Sequence, residues 1–312
     1  MQNDKVKSYL HFHLIVFIWG FTAVLGALIS IAAIPLVWYR MGLASIFIFI
    51  YIKVKGIKIF PSTLSRKRIL TLSIAGLVIA VHWLTFFGAI KVSNVSITLA
   101  MMSTGAFFTS LIEPLVYKRK VIGYEVLFGA IVVAALYFIF EVEAEYRLGI
   151  GLALFSAFLS AVFTLINGKI VHEFNPTMIS FWELTIGVLG ITVFLGAASF
   201  FPNMSFISSG FTSSFFNLSG EDWLWLSILA SICTAYAFIA SVKVMRHLSP
   251  YTIMLTINLE PVYGILLAFV ILGDAEQMST QFYYGAVVIL GVVIANGILK
   301  NRHKLRRKPM RK

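Results

Sequence analysis

Charge and cysteine are what this chain has least of. Only 13 of its 312 residues are acidic, and only 12% are charged with either sign. A soluble domain carries about twice that share, so these residues cannot cover a water-facing surface of this size. The single cysteine, Cys233, excludes an intramolecular disulfide and a thiolate metal cluster. Histidine offers no metal set either, because His11 and His13 are two positions apart and a helix turns them to different faces. No glycine-rich phosphate loop and no nucleophile elbow occurs. Nothing positive supports an enzyme, and neither a cofactor nor a metal is expected.

What the chain has instead is ten long apolar stretches, at 10–30, 35–52, 69–90, 95–117, 121–140, 148–170, 178–200, 223–242, 251–272 and 282–299. Each runs to roughly 18–23 residues, enough to cross a hydrocarbon core of about 30 Å at about 1.5 Å per residue. One such stretch could be a buried helix of a soluble protein. Ten in succession, at 59% hydrophobic residues and a mean hydropathy of +0.91, describe a polytopic membrane protein. The stretches are apolar around the whole circumference, which fits helices and not the alternating strands of a barrel. The first stretch is too long for a cleaved signal peptide and lacks a small-residue flank, so it is expected to stay in the mature protein.

In a soluble chain a net charge of +12 would point to nucleic acid, but its placement here points to a membrane. Basic residues fill every second gap: Lys5 and Lys7; Lys53, Lys55, Lys58, Arg66, Lys67 and Arg68; Lys118, Arg119 and Lys120; Lys169; Lys243 and Arg246; and the tail 300–312. The alternate gaps are acidic, with Glu141, Glu143 and Glu145, then Glu221 and Asp222, then Asp274 and Glu276. The positive-inside rule puts both termini in the cytoplasm and the 201–222 loop outside. An even number of spans requires the same agreement. The basic tail is read as a topology signal that touches anionic lipid, and no nucleic-acid partner is expected.

The chain also resembles itself. At an offset of 156, Ser93, Leu99, Leu111, Gly129, Ala130 and Val132 fall on Ser249, Leu255, Leu267, Gly285, Ala286 and Val288, and Phe107 falls on Tyr263. Earlier in each half, Pro35 falls on Pro176 at an offset of 141; the longer seventh span and the 201–222 loop absorb the difference. Two repeats of five spans must insert with opposite orientation, because five is odd. The expected fold is therefore all-α, ten transmembrane helices in a 5+5 inverted repeat, with a first repeat at 1–147, a second at 148–299 and a basic tail at 300–312. That architecture belongs to secondary transporters, in which two similar halves expose a midplane site to each side in turn.

Local patterns add a resemblance. Trp19-Gly20, His82-Trp83, Thr104-Gly105 set against Glu260-Pro261, Gly273-Asp274, and the paired Gly129 and Gly285 together resemble the drug/metabolite transporter superfamily, specifically the ten-helix EamA-type permeases of bacterial inner membranes. The resemblance covers nearly the whole chain and lies in the ensemble of patterns. It implies a central cavity between the halves and export of small metabolites such as amino acids, with a proton-coupled drug exporter, a metabolite importer and, from another class, a membrane-embedded enzyme as alternatives. In two places the chain departs from the pattern: Gly105 stands where the family often has proline, and Asp274 where it often has glutamate.

Ionisable groups inside a span cost about 2.5–3.5 kcal/mol each on insertion scales, so each needs a reason. Glu260 is foremost, near the middle of the ninth span, before Pro261, with Asn258 and Tyr263 close by; it either lines the cavity or braces a neighbouring helix. His82 lies just past the middle of the third span beside Trp83, where it either titrates or makes a packing hydrogen bond. Trp19, Trp83, Phe107, Tyr236 and Tyr263 are candidates for an aromatic cavity wall, and Thr104 for a polar group in it. Arg40 and Glu183 occupy nearly matching places in the two repeats at opposite depths, so they are not expected to pair; each is a gate or an anchor. Glu113, before Pro114, is expected to meet Lys118, Arg119 and Lys120 in an interfacial ion pair.

Overall fold

Apolar residues on all faces leave the backbone no hydrogen-bond partner but itself, and helices result. The computed structural model describes residues 2–62, 64–118, 123–200 and 210–306, and among these no strand occurs. The first half runs α1 (Gln2–Leu28), α2 (Ala33–Lys55), α3 (Arg66–Val92), α4 (Val95–Met102), α5 (Gly105–Tyr117) and α6 (Gly123–Val142). The second runs α7 (Arg147–Ile170), α8 (Pro176–Phe200), the short α9 (Ser213–Phe216), α10 (Gly220–Ala230), α11 (Ala237–Val244), α12 (Pro250–Ile257), α13 (Glu260–Leu272) and α14 (Thr280–Arg306). The positions Arg119 and Lys120, residues 201–209 of the 201–222 loop, and the tail from Arg307 onward lie outside the described residues.

Eight helical segments are long and apolar enough to cross a membrane: Val6–Leu28, Ala33–Lys55, Arg66–Val92, Val95–Tyr117, Ala144–Ile170, Pro176–Phe200, Gly220–Val244 and Pro250–Leu272. Two more apolar helices, Leu127–Val142 and Thr280–Val292, are shorter over the described residues. Each of the ten apolar stretches read from the sequence thus contains a helix, and eight of those helices reach spanning length.

Three of the segments are interrupted. Between α4 and α5 no proline intervenes; the hydroxyls of Ser103 and Thr104 donate to Ala100 O at 2.6 Å and Met101 O at 2.7 Å, and so satisfy carbonyls that the helix would otherwise use. Between α12 and α13 the break falls at Asn258 and Leu259, and Pro261, which has no N–H, sits in the first turn that follows. Both broken segments consist of an 8-residue helix followed by a 13-residue helix. Their bounds repeat at 155, within one residue of the offset read from the sequence. The third interruption is a π-helical turn at Ser231–Tyr236 joining α10 to α11, where Thr234 Oγ1 donates to Leu229 O at 2.7 Å.

Packing repeats as well. α1 lies on α13 as α7 lies on α4 and α5, and α3 lies on α7 as α1 lies on α10 and α11. Likewise α3 packs on α8 as α2 packs on α10, while α2 on α8, α4 on α13 and α6 on α14 pair like with like. Glycines allow the closest crossings: a Cβ on Gly20 of α1 would stand 3.0 Å from Tyr263 Cβ and 3.2 Å from Gly264 N of α13.

Candidate functional site

The centre of the bundle holds a narrow cavity of about 70 Å³, smaller than the usual small-molecule site. Both halves line it. From the first come Trp19 and Thr22 of α1, Arg40 of α2, Ile79, His82, Trp83 and Phe86 of α3, and Met102 at the end of α4. From the second come Ser160, Phe163 and Thr164 of α7, Phe238 and Ser241 of α11, Met245, Ile253 and Ile257, and Glu260 at the start of α13. Helical periodicity selects them: positions 79, 82, 83 and 86 share one face of α3, as 160, 163 and 164 share one face of α7.

Arg40 is the cavity's cation, only 2% exposed. Its Nε donates to Thr234 Oγ1 at 2.6 Å, and its guanidinium lies 3.8 Å from the centre of the Trp83 ring and 5.3 Å from that of Phe87. The π turn matters here, because it inserts Thr234 into the helix where its hydroxyl meets α2. Nη1 of Arg40 is buried without a hydrogen-bond partner. Glu260 is buried too, at 8% exposed, and lines the same cavity as Arg40. Among the ion pairs and hydrogen bonds of the described residues, none joins the two side chains.

His82 is committed elsewhere. Its Nδ1 lies 2.9 Å from Ser156 O, an atom that can only accept, so Nδ1 carries the proton in that contact; Ser156 Oγ lies 2.9 Å from His82 O and donates to it. The pair locks α3 to α7. The aromatic wall is Trp83, Phe86, Phe163 and Phe238, with Trp83 and Phe238 rings 5.8 Å apart and Phe163 stacked on Phe238 at 5.5 Å.

Of the residues singled out in the sequence, the structure brings Trp19, His82, Trp83, Glu260 and Arg40 into one cavity. It does not bring the others there. Asn258 is buried in the α12–α13 break with both amide atoms unpartnered, and Thr104 is buried in the α4–α5 break with its hydroxyl engaged. Phe107 turns toward Gly129 of α6, and Tyr263 packs on Phe17 with ring centres 5.4 Å apart. Tyr236, the last residue of the π turn, is 45% exposed and bonded to His11 at 2.9 Å, because the wider turn rotates it away from an α-helical register. Glu183 is fully buried on α8, outside the cavity; one oxygen accepts from Asn167 Nδ2 at 3.3 Å and the other has no partner. Glu113 is partly exposed on α5, and two of its three expected partners, Arg119 and Lys120, lie outside the described residues. Sequence reasoning missed the hydroxyls of Thr22, Ser160, Thr164 and Ser241. For two of them a signal existed, since Ser156, Ser160 and Thr164 recur every four residues along α7.

The two ends of the bundle are closed differently. At the acidic end Asp222 accepts from Ser30 N at 2.6 Å and Ser30 Oγ at 2.8 Å, Lys91 donates to Ile29 O, and Trp38, Tyr39, Phe215 and Trp223 form a ring cluster. At the basic end Arg68 pairs with Glu173, Trp182 Nε1 donates to Ile59 O at 3.0 Å, and Arg246 donates to Val171 O and Phe174 O at 3.0 and 2.8 Å. Met245 and Ile253 extend the cavity toward this basic end.

Comparison with known proteins agrees with this architecture. A solved crystal structure of a protein 13% identical in sequence superposes with a TM-score of 0.64, covering 95% of this chain and 98% of that one, which shows a shared fold alone. No match is found among the curated proteins. The sequence pattern of the EamA-like transporter family matches twice, over residues 6–141 and 147–297. With two such repeats spread over nearly its whole length, the chain belongs to the EamA-like transporter family of the drug/metabolite transporter superfamily and is a multi-pass membrane protein with a transporter fold.

Proposed function

We propose that the protein is a secondary transporter that exports small metabolites, amino acids among them, across the bacterial inner membrane by alternating access. The observation that carries this reading is the central cavity: it is lined by both halves of a repeated chain, and it gathers a cation, a carboxyl and several hydroxyls inside an otherwise apolar bundle. Ten spans in a 5+5 inverted arrangement are supported by the packing pattern, which stays the same when the halves are exchanged. Two nearly equivalent halves can trade conformations, which is what opening to one side and then to the other requires.

The test is counterflow in sealed proteoliposomes, using a labelled metabolite mixture. A transporter accumulates label inside and leaves it chemically unchanged. Chemical conversion of the label, or no accumulation above empty vesicles, overturns the reading. The orientation is checked separately in Cys233→Ser protein: Ser214→Cys should react with an impermeant maleimide in intact cells, and Lys58→Cys only after permeabilisation.

A further inference from the structure

The π turn that positions Arg40 has a second face. Thr234 is buried and meets Arg40 Nε at 2.6 Å, whereas Ser231, Ala235 and Tyr236 of the same turn line a groove of about 360 Å³ between α1, α2 and α11. The groove lies on the outside of the bundle, with Phe47, Tyr51 and Tyr236 exposed along it. The wider circuit of a π turn interrupts the ridge that an α-helix would pack into its neighbours. A gap beside the turn is the result.

The length of the groove is that of one lipid leaflet. Ser231 is the twelfth of 25 residues in the Gly220–Val244 span and so lies near mid-membrane, while Lys243 is the last but one. The rise between them is about 18 Å, against about 15 Å for half of the hydrocarbon core. Along that axis the chemistry is graded. The walls nearer the centre are Ala235, Ile239, Ala240, Phe47 and Ile48, and the basic end brings Tyr51, His11 and Lys243. His11 and Tyr236 are bonded to each other at 2.9 Å across the groove, which joins α1 to the turn. Lys243 is exposed, and among the described residues no hydrogen bond or ion pair occupies its ammonium. Lys7, one helical turn before His11 on the same face of α1, is exposed as well. No acidic residue lines the groove to balance these charges.

An occupant that fits must be apolar over the depth of a leaflet and anionic at the basic end. A soluble anion lacks the first property, and an apolar helix of another protein lacks the second. We propose that the groove binds an anionic phospholipid of the leaflet at the basic end, one acyl chain lying along α11 and the phosphate held by Lys243 and Lys7. The chain packs on the outer face of the turn whose Thr234 holds Arg40, so the lipid braces the part of the helix that sets the position of the cavity's cation. The site is separate from the central cavity, and its occupancy is measurable without any transport.

The experiment uses purified full-length protein in detergent and reads bound lipid by native mass spectrometry and stabilisation by thermal denaturation. Phosphatidylglycerol is compared with phosphatidylcholine carrying the same chains, and with glycerol phosphate, which has the anion and no chain. Phosphatidylglycerol should be retained about tenfold or more over phosphatidylcholine, and glycerol phosphate should not displace it. Lys243→Gln and Lys7→Gln should each lower that preference about fivefold, the change that about 1 kcal/mol per basic residue at an anionic surface produces. Lys53→Gln is the control, because Lys53 lies over Phe49 and does not line the groove; it should leave the preference unchanged. Ile239→Trp, which fills the groove, should lower retention of both lipids. Equal retention of the two lipids by the unmutated protein overturns the proposal without any variant, as does displacement by glycerol phosphate. An equal loss of preference in Lys53→Gln and Lys243→Gln overturns it too, since the whole basic end would then attract anionic lipid without a site.

Discussion

The broken segments Val95–Tyr117 and Pro250–Leu272 have nearly the same backbone and very different surroundings. Each is an 8-residue helix, a two-residue break and a 13-residue helix. In the first, 78% of the most apolar stretch is buried; in the second, 39%. The first break is made by Ser103 and Thr104 hydroxyls, and the second by a proline one position beyond a carboxyl. Residues at equivalent places diverge accordingly: Gly105 opens α5, whereas Glu260 opens α13 and faces the cavity. A repeated chain thus keeps the joint in both copies and carries the charge in one, so the geometry of the fold and the chemistry of the site are separable.

The start of each segment provides the sharpest contrast. Glu276, from the far half, accepts from Val95 N at 3.0 Å, Ser96 N at 2.8 Å and Ser96 Oγ at 2.8 Å, and so ties the N-terminus of α4 across the bundle. The carboxylate also sits at the positive end of that helix. At α12 the first position is Pro250, which has no N–H to satisfy, and the local Ser249 Oγ accepts from Thr252 N at 3.3 Å. Glu276→Ala strands buried donors and should cost about 3 kcal/mol, whereas Thr252→Val should cost under about 1 kcal/mol. Thermal denaturation in detergent reads both. Equal shifts would mean that the cross-half tie does not stabilise α4.

Crossings distinguish the segments next. A methyl group on Gly20 would press on Tyr263 Cβ at 3.0 Å and Gly264 N at 3.2 Å, atoms that cannot move without moving α13. On Gly105 it would meet the end of the Met254 side chain at 2.5 Å, with the nearest backbone atom 3.7 Å away. Gly20→Ala should therefore destabilise by about 1–3 kcal/mol, and Gly105→Ala by less than about 1 kcal/mol because methionine swings aside. A larger loss at Gly105 would reverse the assignment of which crossing is rigid.

These contrasts also mark what could be read from the residues. Apolar length located every long helix, since nothing else satisfies a backbone in lipid, and Pro261 announced the break beside Glu260. The break at Ser103 and Thr104 carried only two hydroxyls, which more often bond harmlessly within an unbroken helix. Arg40 was assigned to a gate or an anchor from the depth of its backbone, but its side chain is long enough to reach the cavity and be held there by Thr234. Tyr236 ends a π turn that no pattern in the sequence announces, and so its face could not be read from α-helical spacing. Glu183 has the burial expected of an important carboxyl and stands away from the cavity, because facing depends on packing and not on the identity of the residue.

The smallest expected difference lies in the caps themselves. Asn94 Oδ1 accepts from Ile97 N at 2.9 Å and its Nδ2 reaches Met278 Sδ at 3.1 Å, in a site only 8% exposed. Ser249 Oγ accepts from Thr252 N at a longer 3.3 Å, in a site that is partly exposed. Water can replace the serine hydroxyl but has poor access to the asparagine. Pro250 further relieves the second cap, since its ring presets the first helical dihedral and removes one N–H that would need a partner. Asn94→Ala should therefore cost about 1–2 kcal/mol and Ser249→Ala a few tenths, the upper and lower parts of the range for such caps. Hydrogen exchange localises the effect: faster exchange at Ile97 in the first variant should exceed that at Thr252 in the second. The reverse order would show that α12, despite its proline and its access to water, depends on its cap more than α4 does.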